Sequence, residues 1–170
     1  MPAAMRIAAL ALAALLARPA CAAPSLVVLV RHAERDGAMA DDPPLTAAGR
    51  ERAQELARLV DVLSSAIPLK AIFATEFRRT QQTAAPTSEH SRIRVTVVPA
   101  AAQRDLVRKV LAVPSGTVLI VGQRDTLPEL IQALGGPAGI VIGDAEFNHF
   151  YALAAPGTPR AKLASTLYGK

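Results

Sequence analysis

Short runs of apolar residues alternate along the chain with longer segments in which apolar residues recur every three or four positions. The short runs are rich in valine and isoleucine and predict β-strands, whereas the longer segments predict amphipathic helices. Strands and helices that alternate in this way indicate an α/β domain with a mostly parallel sheet. We therefore expect three layers, with helices on both faces of a central sheet.

The predicted elements follow from these runs and from the residues that end them. Residues 26–30 form a continuous apolar run that is typical of a central strand covered on both faces. The further predicted strands are residues 70–74, 93–98, 117–121, 139–142, 148–153 and 161–168. The predicted helices are residues 46–63, capped by Thr46, then 77–85, stopped by Pro86, then 102–111, and 126–134, ended by Gly135 and Gly136.

The first 22 residues have a different pattern. A basic start is followed by an apolar run over residues 7–16 and then by Ala20, Cys21 and Ala22, small residues of the kind that a signal peptidase reads. We interpret residues 1–22 as a signal peptide and residues 23–170 as a single domain, exported to the periplasm or secreted. A run of about ten residues is too short for a bilayer, which needs about twenty. An uncleaved membrane anchor and a lipoprotein modified at Cys21 are the alternatives.

Composition changes this picture only slightly. Half of the residues are apolar (51%), which is typical of a globular protein, and the single cysteine lies in the predicted signal peptide. Removal of that segment takes away two arginines and no acid, so the net charge falls from +5 to +3. A mildly basic domain suits a small anionic ligand, and no lysine- and arginine-rich run with interleaved aromatics predicts a nucleic-acid partner.

Polar residues follow three of the predicted strands at the point where each strand ends. These segments are Arg31-His32-Ala33-Glu34, residues 75–83, and Gly122-Gln123-Arg124-Asp125. Because ligands of open α/β sheets bind outside the carboxyl ends of the strands, these segments are where chemistry is expected.

The first two segments carry residue types that suit phosphoryl chemistry. The neutral imidazole of His32 is a competent nucleophile, and the adjacent Arg31 can clamp phosphate oxygens. Arg79 is predicted near the start of a helix, where the helix N-terminus already favours an anion. Alternatively, Arg31 and His32 form a solvated basic strand end, and Arg78 and Arg79 are ordinary surface residues.

Several motifs occur in an order that points to a known family. The chain contains Arg31-His32-Ala33, then Leu45-Thr46-Ala47-Ala48-Gly49 with Arg52 three residues later, and then Thr75, Arg79, Thr80, Gln82, Thr83 and Ala84. With the late segment Gly122-Gln123-Arg124-Asp125, this order resembles the histidine phosphatase (phosphoglycerate mutase-like) superfamily. Arg52 stands where that family usually has Gln.

The resemblance implies a phosphoglycerate mutase-like fold and a metal-independent phosphatase that needs no cofactor. It implies a phosphohistidine intermediate on His32, with Arg31 and Arg79 as phosphate clamps. A phosphorylated small molecule or a phosphoprotein is then the expected partner. Glu34 is expected to border the substrate pocket, or else to be a surface carboxylate paired with Arg31 or Arg35.

The third segment departs from the family. The resemblance places a second catalytic histidine at position 123, where this chain has Gln123. A glutamine amide can donate a hydrogen bond to a phosphoryl oxygen, but it carries no charge. We therefore expect a slow enzyme or, alternatively, a catalytically inactive phosphate-binding or regulatory protein.

The neighbouring charged residues have more than one interpretation. Arg124 either restores the missing charge or points to solvent. Asp125 either serves as a general acid or caps the helix at Thr126. Asp105 is a further candidate acid that also fits a solvated helix position. His90, predicted in a loop, and His149, predicted in a strand, are not expected to bind a ligand, and no histidine, cysteine and acid cluster has metal-ligand spacing.

Overall fold

The computed structural model describes residues 23–37 and 41–169, so the predicted signal peptide lies outside the described residues. The strands are β1 (Leu26–Arg31), β2 (Leu69–Ala74), β3 (Val95–Val97), β4 (Thr117–Gly122), β5 (His149–Ala154) and β6 (Lys162–Leu167). The helices are α1 (Ala47–Ala66), α2 (Arg78–Ser91), α3 (Gln103–Leu111) and α4 (Leu127–Ala133). No helix in these ranges is long and apolar enough to cross a membrane.

All six strands belong to one sheet in the order β3-β2-β4-β1-β5-β6. The first four of these run parallel, whereas β5 is antiparallel to both β1 and β6. The prediction of a mostly parallel α/β sheet is confirmed. Val30 of β1 and Ala74 of β2 both pair with Val121 of β4, so these three strands end at the same level.

Side chains of the central strand alternate between two cores. Val27 and Leu29 pack on one face with Leu106 and Val110 of α3 and with residues of α4. On the other face the neighbouring β1 residues pack against α1 and α2. Since every residue of β1 is buried, the predicted three-layer arrangement is confirmed.

Helix α1 begins as the sequence predicts. The Thr46 hydroxyl accepts a hydrogen bond from the Gly49 backbone N–H at 3.0 Å. Gly49 lies where the helix crosses the backbone after β1, and a Cβ at this position would be 2.2 Å from the Glu34 carbonyl oxygen. The glycine therefore allows α1 to pack directly on the segment that follows the first strand.

The prediction that helix α2 stops at Pro86 is wrong. The helix continues through this proline to Ser91, so His90 lies on a helix and not in a loop. Proline removes one backbone hydrogen bond from a helix. Thr83, Ala84 and Thr87 are buried on both sides of the proline, and this packing offsets the lost bond.

The strand predicted for residues 139–142 is also wrong. This segment is a loop, in which Gly139 has a φ of +80° and Val141 is 85% exposed. Ile142 is buried in the core, at 6% exposure, and Ile140 packs against the core while partly exposed. The apolar run thus anchors a loop that leads into β5. The predicted strands 148–153 and 161–168 are confirmed as β5 and β6.

Candidate functional site

A cavity of about 530 Å³ lies at the carboxyl edge of the sheet, where β1, β2 and β4 end. The residues that line it are Arg31, His32, Arg35, Gly37, Asp41, Arg79, Gln123, Arg124, Asp125, Asp144 and Phe147. The structure therefore brings together six of the seven predicted site residues. Glu34 is the exception.

His32 is almost fully buried, at 4% exposure, in the segment that follows β1. Its Nδ1 lies 2.8 Å from the carbonyl oxygen of Ala33. Because a carbonyl oxygen only accepts hydrogen bonds, Nδ1 carries the proton when the ring is neutral. The lone pair is then on Nε2, which is the atom that a nucleophilic histidine needs.

The surroundings of His32 keep its ring neutral. Burial lowers the pKa of His32 from 6.5 to about 4, and the charges of Arg31, Arg79 and Arg35 act in the same direction. The hydrogen bond to Ala33 opposes this shift without reversing it. The imidazole is thus unprotonated, and available as a nucleophile, well below neutral pH.

Arg31 is fixed by the loop that precedes β5. Its Nη1 donates to the carbonyl oxygens of Gly143, Asp144 and Glu146, at 2.9, 2.8 and 3.1 Å. The guanidinium lies 3.9 Å from the centre of the Phe147 ring, a cation–π distance. Burial, and next the charge of Arg124, lower the pKa of Arg31. This arginine is held in one orientation before any ligand enters.

Arg79 approaches the cavity from the second position of α2. Its Nη2 donates to Oε1 of Gln123 at 2.7 Å, and its Nη1 lies 3.8 Å from Asp42. The Nε groups of Arg79 and Arg31 are both buried without a hydrogen-bond partner in the described part of the chain. Unpaired cationic donors beside a neutral imidazole favour an anionic ligand in this cavity.

Gln123 follows β4, and the oxygen and the nitrogen of its side-chain amide have different roles. Its amide oxygen accepts the bond from Arg79, which orients that guanidinium. Its amide nitrogen is then the part that can donate to a ligand oxygen. A neutral donor therefore stands at this corner of the cavity.

Arg124 lines the cavity beside Gln123 and does not simply point to solvent. Its Nε donates to Asp125 at 2.6 Å, and its Nη1 forms an ion pair with Asp144. The predicted cap by Asp125 is not present, since α4 has no side-chain cap. The hydrogen bond from Arg124 lowers the pKa of Asp125, so this carboxyl group is ionised and a poor general acid.

Glu34 lies outside the cavity, contrary to the prediction that it borders the substrate. Its carboxylate accepts hydrogen bonds from Nε and Nη2 of Arg52, at 2.9 and 2.6 Å, and not from Arg31 or Arg35. Burial alone would raise the pKa of Glu34, but the hydrogen bonds from Arg52 leave it lowered. Position 52, where the resembling family usually has Gln, thus supplies the partner of this carboxylate.

The motif residues around Arg79 connect the second helix to the segment after β1. The Thr83 hydroxyl accepts a hydrogen bond from the Ala33 backbone N–H at 2.9 Å, and Oε1 of Gln82 accepts one from Leu45 at 2.8 Å. These bonds fix the backbone next to His32 relative to the helix that carries Arg79.

Five residues of the cavity have no counterpart among the predicted site residues: Arg35, Gly37, Asp41, Asp144 and Phe147. Arg35 directly follows the first motif, which is the only signal for it. Asp144 and Phe147 lie in the loop before β5, more than 100 residues from Arg31 in the chain, and no local pattern marks them.

The remaining candidates lie elsewhere. Asp105 is on α3 and pairs with Arg108 and Lys109. His90 lies 3.2 Å from Asp61, and His149 lies 3.3 Å from Glu146. None of them lines the cavity, and no cluster of three possible metal ligands occurs among residues 23–37 and 41–169.

Comparisons with known proteins agree with this geometry. A sequence profile of the histidine phosphatase superfamily (branch 1) matches residues 27–108. No curated protein sequence matches significantly. Among solved structures, the putative phosphohistidine phosphatase SixA from Agrobacterium tumefaciens is 21% identical, with a TM-score of 0.61 over 82% of this chain and 96% of that one.

A mycobacterial glucosyl-3-phosphoglycerate phosphatase bound to inorganic phosphate is 16% identical, with a TM-score of 0.63 over 86% of this chain and 97% of that one. A SixA protein histidine phosphatase in complex with tungstate is 16% identical, with a TM-score of 0.62 over 84% and 96% of the two chains. At these identities the likeness establishes a shared fold.

Proposed function

Since the chain belongs to the histidine phosphatase superfamily, we propose that it is a metal-independent phosphatase that acts on phosphate monoesters through a phosphohistidine intermediate on His32. One observation carries the proposal: a neutral imidazole, with its Nε2 lone pair free, is buried in a cavity whose other walls carry four arginines. The substrate is a phosphorylated small molecule or a phosphoprotein, and no cofactor takes part.

In the first step, Nε2 of His32 attacks the phosphorus atom and a P–N bond forms as the P–O bond to the leaving group breaks. Arg31 and Arg79 bind the phosphoryl oxygens and offset the charge that develops on them. Arg31 requires no rearrangement, because three backbone carbonyl groups already hold it. The leaving oxygen takes its proton from water, since the Asp125 carboxyl group is already ionised.

In the second step, a water molecule attacks the phosphorus atom of the phosphohistidine. The P–N bond breaks, inorganic phosphate leaves, and the imidazole returns to its neutral form. The hydrogen bond from Nδ1 to Ala33 holds the ring in the same tautomer throughout.

Gln123 is the reason that we expect a low turnover rate. Its amide nitrogen donates one neutral hydrogen bond where a histidine would add charge. Loss of one preorganised donor in a comparable role costs on the order of a hundredfold to a thousandfold in rate. We therefore expect slow turnover.

A second candidate is a catalytically inactive phosphate-binding or regulatory pseudophosphatase. The hydrogen bond from Arg79 to Gln123 favours this alternative. The Gln123 amide oxygen already accepts from Nη2 of Arg79, which is one of the groups that would otherwise bind phosphate. Both candidates share the same cavity, and turnover alone separates them.

The location belongs to the proposal as well. We propose that the protein is exported to the periplasm or secreted, on the basis of the signal-peptide pattern of residues 1–22. The proposal includes neither a nucleic-acid partner nor a stable membrane anchor after cleavage.

The test is hydrolysis of an aryl phosphate in the presence of a chelator. We expect slow turnover in the parent protein, none in His32→Ala, and a gain of about tenfold or more in Gln123→His. A radiolabelled phosphate that stays on the denatured parent protein, and is absent from His32→Ala, would identify the intermediate. Activity that survives His32→Ala would refute the mechanism. A parent protein that binds phosphate but has no phosphatase activity would support the pseudophosphatase.

A further inference from the structure

Within residues 23–37 and 41–169, Arg124 is the one cavity arginine that is bound by two carboxylates. Its Nε donates to Asp125, and its Nη1 pairs with Asp144. Asp144 is also connected to Arg31, because its backbone carbonyl accepts a hydrogen bond from Arg31 at 2.8 Å. One residue of the loop before β5 therefore contacts both arginines.

We propose that Arg124 is a third cationic contact for the phosphoryl group. Without a ligand it is bound by Asp144, and it exchanges this carboxylate for a phosphate oxygen when phosphate enters. This inference rests on the proposed phosphatase function and extends it. Arg124 then supplies the positive charge that Gln123, the residue before it, lacks.

The position of Arg124 supports this role. Arg124 lies two residues after the end of β4, which pairs with β1 up to Gly122 and Arg31. Its charge already acts on Arg31, whose pKa it lowers more than any other charged residue does. A phosphate bound between Arg31 and Arg79 would therefore lie close to a third guanidinium group.

The present partners of Arg124 are weak enough to be exchanged. The side chains of Asp144 and Asp125 are 85% and 75% exposed. Exposed ion pairs contribute little to stability, whereas a charge-assisted hydrogen bond to a phosphate oxygen is among the stronger polar contacts. A doubly charged phosphoryl group is thus a better partner for Arg124 than either carboxylate.

The two single substitutions Arg124→Gln and Asp144→Asn should have opposite effects. The first removes the contact and should weaken binding of inorganic phosphate and of orthovanadate, and lower kcat/KM for an aryl phosphate, by about 10- to 100-fold. The second removes one of the two carboxylates that bind Arg124 and keeps the backbone carbonyl group that binds Arg31, so phosphate should bind about two- to fivefold more tightly.

A double variant tests whether these effects share one cause. In the Arg124→Gln background, Asp144→Asn should give no further gain, because the arginine that it would release is absent. Arg104→Gln is the matched control, since Arg104 is an exposed arginine of α3 that does not line the cavity. Titration calorimetry with phosphate gives the dissociation constants, and this readout does not require turnover.

Each outcome decides the inference. Opposite effects of the two single variants, without additivity in the double variant, support it. Equal weakening by both variants would overturn it and indicate that the ion pair only supports the loop around Arg31. If the parent protein binds and hydrolyses phosphate esters and Arg124→Gln changes neither property, the inference is refuted while the proposed function stands. A parent protein that neither binds nor hydrolyses them would refute both.

Discussion

The pKa of His32 gives the most direct test of the candidate site. A free histidine side chain titrates near 6.5, but burial among arginines lowers the pKa of His32 to about 4. A difference of about 2.5 pH units corresponds to about 3.4 kcal/mol between the two protonation states, at about 1.36 kcal/mol per unit. The group is almost fully buried, so solvent screens this difference only slightly.

The sign of the effect on stability follows from which state binds the proton. Between pH 6.5 and about 4, His32 is protonated in the unfolded chain and neutral in the folded protein. The unfolded state is therefore favoured as the pH falls through this window, and His32 makes no such contribution above it. His32→Asn removes the titrating group, so the parent protein should lose about 3 kcal/mol more than this variant between pH 7 and pH 4.

The assay is a pH titration by nuclear magnetic resonance on protein labelled with ¹⁵N. The chain has three histidines, so the His32 signals are assigned by their absence from the His32→Asn spectrum. At pH 6 we expect the neutral ring with the proton on Nδ1, as the contact with Ala33 requires. Urea unfolding of the parent protein and of His32→Asn across the same pH range measures the stability difference.

The reasoning is refuted if His32 titrates near 6.5 or if its neutral form carries the proton on Nε2. Either result would mean that the Nε2 lone pair is not held free in the cavity. As a functional consequence, kcat/KM for an aryl phosphate should hold down to about pH 5, because the nucleophile stays unprotonated there.

Two further predictions concern the contacts that hold the segment after β1. Gly49→Ala should destabilise the protein by about 2 kcal/mol, because its Cβ would collide with the Glu34 carbonyl group; Gly37→Ala, where nothing lies within 4 Å of a Cβ, is the control for urea unfolding. A stable Gly49→Ala would argue against the close approach of α1. Arg52→Gln should cost about 2 kcal/mol, because it leaves the partly buried Glu34 carboxylate without its partner. Arg58→Gln breaks an exposed ion pair and should change stability by less than about 0.5 kcal/mol, and equal losses in both variants would contradict this explanation.

Much of the fold follows from local patterns because the central strands are short and mostly apolar. The run over Leu26–Arg31 is buried along its whole length, and its abrupt end in charged residues marks the edge where the chemistry lies. Parallel strands place their carboxyl ends together, which is why His32, Arg79 and Gln123 could be grouped from sequence. The shared edge of parallel strands predicts that these three residues lie close together, and the structure places all three in one cavity.

The errors have a common physical origin, since each depends on tertiary contacts that no local pattern contains. A helix normally stops at a proline, but buried neighbours on both sides carry α2 past Pro86. An apolar run normally predicts a strand, but residues 139–142 form a loop that buries Ile142 in the core and packs Ile140 against it. Glu34 has its partner 18 residues away on α1, in Arg52, although two arginines lie much closer in sequence.

The same contacts show how the cavity is organised around Gln123. A histidine at this position would combine a hydrogen-bond donor and a positive charge in one side chain. In this chain the amide of Gln123 orients Arg79, and the charge lies on the next residue, Arg124, which shares Asp144 with Arg31. A Gln123→His substitution places an imidazole in a cavity with four arginines, whose charges lower the pKa of a histidine and oppose its protonation, and Arg124→Gln removes one of them. For this reason its gain in turnover should be larger in the Arg124→Gln background than in the parent protein, and equal gains in both backgrounds would mean that the two positions act independently.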